Sequence, residues 1–352
     1  MRVKNIQVRG VVFAAFSLSA LALANRADAI VLAHKWQAGQ QLPYVMTMKG
    51  NLKAETDASW AGPLSRVPVD IALDGNGRWN LNTLSVDANG AGTVQIQIPQ
   101  LSINGSAWGM NASLKIENGQ AAMSLNGAPG KKFDVSQWTN PKSALVISPN
   151  AQVQSIAPMD ATARMDVTAP VDATPVDATS STRSDATSDA TAENAAQSLN
   201  DLARLMPQLW PGRDIALGET WSIDAKIPLG SDALPLSIGT FKMKLQNEEL
   251  LAGRTVQRVV VTGLIEISGD KAQAINEAAK AKKADAPRLI SSTKNITGDI
   301  LFDAGLGQIA RAAFKVVSKD EMRGTSLATE KKPASSWTLK HGFNGNIGLQ
   351  QQ

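Results

Sequence analysis

The 352-residue sequence predicts a mainly β (α+β) protein: curved antiparallel sheets in two related modules, with a few helices and a disordered linker rich in Ala, Thr and Asp. Three observations carry that expectation. Apolar and polar residues alternate with a period of two over most of the chain, as in strands with one buried face. Short Asn, Asp and Gly clusters punctuate the alternation. A repetitive stretch, MDATARMDVTAPVDATPVDATSSTRSDATSDAT (Met159–Thr191), then interrupts it.

The chain opens on Arg2, Lys4 and Arg9, an apolar run from Val11 to Ala24, and the small residues Ala22 and Ala24. This is the pattern of a secretory signal over residues 1–24, with cleavage after Ala24 or, by the second small-x-small site, after Ala29. The run is shorter than the roughly 20 apolar residues that span a bilayer, and no later segment is long and apolar enough, so the mature protein is expected to have no transmembrane span. The expected location is the bacterial periplasm or the outside of the cell. Cysteine is absent, which removes disulfides, thiolate metal sites and a lipidated cysteine anchor. Of the 35 basic residues three fall in the signal, so the mature chain is close to neutral against 31 acidic ones, and no nucleic-acid partner is expected.

An N-terminal antiparallel β module is expected over 30–140. Tyr44, Met46 and Met48 alternate, as do Val67, Val69, Ile71 and Leu73. Asp74-Gly75-Asn76-Gly77 then reads as a hairpin turn leading to Trp79 and Leu81, because Asn and Gly tolerate the positive φ of tight reversals. Val94, Ile96 and Ile98 form a strand. Ala112, Leu114 and Ile116 lead through Glu117-Asn118-Gly119-Gln120 into Ala121, Met123 and Leu125.

The linker is placed at 149–191; almost free of large apolar residues, it cannot repay the entropy of ordering itself. A C-terminal β module follows over 192–352, with helices near 192–206, where Leu199, Leu202 and Leu205 recur, and 271–284, opened by Asp270 with Gln273 three residues on. Its strands carry Trp221, Ile223, Ala225 and Ile227, then Phe241, Met243 and Leu245, a turn at Ala252-Gly253, and Val256 to Ile267. A turn at Asp303 to Gly307 and a last alternation, Trp337, Leu339, His341 and Phe343, complete it.

Catalytic signatures are missing: no Gly-x-Ser-x-Gly elbow occurs, and the two histidines, His34 and His341, are too few for a His-rich metal centre. The expectation is therefore no catalytic residue, no metal site and no cofactor. Lys280, Lys282 and Lys283 read as a solvated helix face. Eight tryptophans accompany a single tyrosine. If the sheets curve without filling their inner faces, Trp36, Tyr44, Met46, Met48, Trp79, Trp221 and Met243 would line a groove for an apolar or lipid-like ligand.

Four segments carry a resemblance: HKWQAGQQLPYVMTMKG (His34–Gly50), LMPQLWPGRDIALGETWSIDAKIPL (Leu205–Leu229), GTFKMKLQNEELLAGRTVQRVVVTGLIEISG (Gly239–Gly269) and ITGDILFDAGLGQIARAAFKV (Ile296–Val316). They resemble secreted bacterial proteins of unknown function with a two-part β-sheet, akin to the half-barrels of periplasmic lipoprotein carriers. The resemblance implies a sheet able to hold acyl chains, without assigned catalytic residues. The reading that follows is an exported, noncatalytic binding protein. The alternatives are a structural or adhesive envelope protein contacting other proteins or polysaccharide, and an envelope hydrolase. The starts AGQQLPYVM (Ala38–Met46) and LGETWSIDA (Leu217–Ala225) point to duplication. Oligomeric state has no signature.

Overall fold

A computed structural model describes residues 30–57, 68–159, 209–227, 235–280, 287–326 and 335–352; the expected signal, residues 160–191 of the linker, the helix near 192–206 and residues 281–284 of the second helix lie outside them. The first half supplies β1 (Ile30–Val31), β2 (Gln41–Thr56), β3 (Val69–Val86), β4 (Gly92–Ala107), β5 (Met110–Glu117), β6 (Gln120–Leu125), β7 (Ala128–Asp134), the one-turn α1 (Ser136–Thr139), β8 (Ser143–Ile147) and β9 (Val153–Pro158). The second half supplies β10 (Asp214–Ile215), β11 (Thr220–Ile227), β12 (Leu236–Leu251), β13 (Arg254–Ile267), α2 (Gly269–Lys280), β14 (Arg288–Asp303), β15 (Gln308–Ser326) and β16 (Ser335–Gln351). The protein is mainly β and antiparallel, and the sheet does not close into a barrel.

Each half has a short strand followed by a six-stranded meander, the two meanders join into one sheet in the order β11 to β16, then β2 to β7, and in the first half β8 joins that sheet beside β4 with β9 paired to it. The seam is β16 against β2, where Gly345 faces Gly50. Neither tolerates a side chain: a Cβ on Gly50 would lie 2.5 Å from the Gly345 Cα. The two short strands, β1 and β10, pair with each other apart from the main sheet. The modules therefore share one sheet.

One row of directly opposed residues shows which face is which. Trp221, Met243, Val261, Gly298, Phe314, Ile347, Met48, Gly75, Ile103, Leu114 and Met123 succeed one another across eleven strands without a polar interruption. The parallel row from Leu245 through Met46 and Gly77 to Phe133 is apolar as well. This is the inner face. The outer face carries Lys49, Asp74 and Asn104 in one row and the ion pairs Arg258–Glu249 (3.2 Å) and Arg258–Asp299 (3.8 Å).

The largest buried cluster lies on the inner face of the second meander. Leu32, Ala151, Trp210 and Ile215, from the segments flanking β1, β9 and β10, cover Trp221, Met243, Leu245, Val259, Ile300 and Phe302. Burying a large apolar side chain there is worth about 1.5–3 kcal/mol each. At the other end of the same strands α2 places Ala272 and Ile275 against Ala225, Ile238, Ile267 and Leu289. Asn276 fixes it, donating to the Leu289 carbonyl and accepting from its N–H, both at 2.7 Å.

Three expectations change. The Asp74–Gly77 cluster is not a turn: β3 runs straight through it, with Gly75 between Met48 and Ile103 and Gly77 between Met46 and Leu101. Glycine serves close packing here, since a Cβ on Gly77 would meet the Gln100 carbonyl at 3.0 Å. Residues 153–158 of the expected linker form β9, because Val153 and Ile156 pair with Ile147 and Leu145 of β8. Gln273 does not close a capping box; it donates to Glu277 at 2.9 Å. The Asn118-Gly119 and Ala252-Gly253 turns stand as expected, with positive φ at all four residues.

Candidate functional site

The candidate site is the part of the inner face that the covering segments leave open. From β15 through β16 and β2 to β5, the row residues Phe314, Ile347, Met48, Ile103 and Leu114 are all half-buried, Phe314 at the edge of the covered core, whereas Met243 and Val261 in the same row are buried. The row ends at Met123, 50% exposed. Nearby Leu125, Phe133, Trp108, Met110 and Trp138 are exposed too. Scattered single exposed apolar residues are ordinary, but a contiguous set marks a contact surface.

The seven expected ligand residues divide along this line. Trp221 and Met243 are core residues under the cover, and the Trp221 indole donates to the Leu209 carbonyl at 3.1 Å. Tyr44 is buried, and burial pushes its phenol up to about 12. It faces Trp79, whose indole N–H is buried without a hydrogen-bond partner among the described residues. Trp36 belongs to the cover: its ring lies over Gly92 and stacks on His34, centroids 4.8 Å apart. Met46 and Met48 alone stand on the open surface. Ile103, Leu114, Ile347 and Phe314 join them there, four residues that sequence periodicity placed on strands without showing which strands would be neighbours.

The two histidines occupy opposite ends of the inner face. His34 packs edge-on to Phe302 at 5.7 Å, and its Nδ1, 3.1 Å from the Gly307 carbonyl, donates to it. Burial lowers its pKa to about 4, and the Gly307 bond offsets only part of that. His341 instead faces Asp320 on β15, Nδ1 to Oδ2 at 3.5 Å. Phe302 and Ser292, the residues of β14 nearest each, are ten positions apart, roughly 34 Å of extended strand. No shared pair exists. Ser292, Asp320 and His341 stand in that order across three strands, so the carboxylate separates the hydroxyl from the imidazole and no nucleophile–base relay is built.

The outer face has its own relief. A depression of about 510 Å³ is lined by Lys49, Asn51, Asp74, Asn104, Asn111 and Ser113, among others, and a second of the same volume by Thr47, Arg311 and Gln350. Neither includes any of the seven expected residues. The side chains of Lys280, Lys282 and Lys283 lie outside the described residues. Among the described residues no cluster of three metal-ligating side chains occurs, and no helix is long and apolar enough to cross a membrane.

No family model and no curated protein matches the chain. A match to the crystal structure of Pseudomonas aeruginosa OccK2 (OpdF), 7% identical over 89% of this chain and 98% of that one, has a TM-score of 0.13 and carries no argument.

Proposed function

We propose that the chain is an exported, noncatalytic binding protein that holds an apolar or lipid-like ligand of the cell envelope against the open half of its inner face. One observation carries this reading: the apolar rows do not stop where their cover stops. Sheet faces exposed to water ordinarily alternate to polar residues, yet Ile347, Met48, Ile103 and Leu114 keep the inner face apolar across β16 and β2 to β5. Met46 and Met48 suit the role, since unbranched thioether side chains adapt to irregular apolar partners.

The test is native mass spectrometry of the chain purified from its own compartment, followed by organic extraction. A discrete added mass that extracts as an apolar molecule, lost in Met48→Asp, is the expected result. The same spectrum reads the export signal, as a mass that begins after Ala24 or Ala29. An apoprotein mass, together with unchanged stability on adding long-chain lipids, overturns the reading.

A second reading, a structural or adhesive envelope protein, has its own observation. Among the described residues β7, β9 and β11 of the sheet each pair on one side only, leaving three strand edges free to take a further strand. Concentration-dependent self-association or adhesion to polysaccharide, without extractable lipid, would favour it.

A further inference from the structure

The inner face has one polar nest. On β14, β15 and β16 five polar side chains turn to this side together: Ser292 opposite Asp320, Asp320 opposite His341, and Lys294 opposite Ser318. Apolar residues enclose them, Ile267 and Ile265 on β13 and Ala54 on β2. An apolar surface with a few convergent polar groups is the usual composition of a ligand site, the polar groups fixing orientation.

The nest is unevenly satisfied. The Asp320 carboxylate, 12% exposed, has His341 as its partner. The Ser318 hydroxyl accepts the Phe343 N–H at 3.1 Å, leaving its own proton to donate. Lys294 is half-buried between Ile265 and Ser318, and among the described residues neither a hydrogen bond nor an ion pair reaches its ammonium. Partial burial of an unpaired charge is costly, and a bound anion would offset it. Asp320 faces His341 rather than Lys294, so the Lys294 ammonium is the cation of the nest left without a partner among the described residues.

We propose that this nest receives the carboxylate of a single-chain amphiphile, with Lys294 and the Ser318 hydroxyl donating to it. The acyl chain would lie across the open half of the inner face; this part rests on the reading given under Proposed function. One unpartnered ammonium calls for a monoanion rather than a phosphate monoester. From β15 to β5 the sheet offers five strand spacings of ~4.8 Å, about 24 Å, the length scale of an extended long acyl chain.

The experiment compares binding of hexadecanoate and hexadecanol to the purified chain by titration calorimetry. Wild type is expected to bind the acid about tenfold or more tightly than the alcohol. Lys294→Met is expected to bring the acid down to the alcohol's affinity and leave the alcohol unchanged. Equal affinity of wild type for acid and alcohol overturns the carboxylate nest while leaving the apolar reading standing. Binding of neither overturns both. Should Lys294→Met fail to fold, the acid–alcohol ratio in wild type decides alone.

Discussion

The two meanders present the same apolar rows to the same side of one sheet, yet the large buried cluster lies on only one of them, the other burying isolated residues such as Leu42, Tyr44, Val94 and Ile116. In β11 to β15 the inner residues Met243, Leu245, Val259 and Phe302 are essentially inaccessible, because Leu32, Trp210 and Ile215 lie over them. In β2 to β5 their counterparts Met48, Ile103 and Leu114 keep part of their surface in water. The strands do not differ in kind; the cover does. A period of two makes a face apolar, but burial needs a second layer, and that layer comes from three short segments distant in sequence.

Truncation in the covered half is the strongest way to break the comparison. Phe302→Ala should cost about 3–5 kcal/mol, read from urea unfolding, since it leaves a cavity between Trp210 and His34. A cost below about 1 kcal/mol would mean that the cover is loosely seated.

Acid should loosen the same cover. His34 sits near pKa 4 in the folded chain and near 6.5 unfolded, so the unfolded state binds the proton first. Its contribution is whole above about pH 6.5 and falls away as pH drops towards 4, by at most about 3 kcal/mol. Unfolding midpoints between pH 7 and 4.5 test this, and His34→Phe, which keeps an aromatic ring beside Trp36, should flatten that part of the slope.

At the seam Gly345→Val should cost about 1–3 kcal/mol by overpacking against Gly50 and the Phe343 ring. Limited proteolysis that separates the halves in this variant, and not in wild type, would show that the seam holds the two meanders together. Smallest is Met48→Ala in the open half, at about 1 kcal/mol or less by thermal melting. A loss as large as that of Phe302→Ala would show that the open face is covered in solution.

Much of the strand content was legible. Trp221 to Ile227, Phe241 to Leu245 and Trp337 to Phe343 alternate in sequence and form β11, β12 and β16 with those residues inward. The Asp74–Gly77 cluster misled because a glycine required for close strand approach has the same letter as one required for positive φ. The division of Trp36, Met48 and Trp221 among cover, open face and core was illegible for a different reason: alternation assigns a side chain to a face, never a partner to that face.

The sequence by itself determined the antiparallel β class, the hairpins at Asn118-Gly119 and Ala252-Gly253, and the inward-facing residues of most strands, because these follow from local periodicity and from backbone conformations that few residues tolerate. Tertiary structure alone decided that β16 joins β2, that β1 pairs with β10, and that Lys294, Ser318, Asp320 and His341 meet on one face. Register between strands hundreds of residues apart is set by which faces can be buried together.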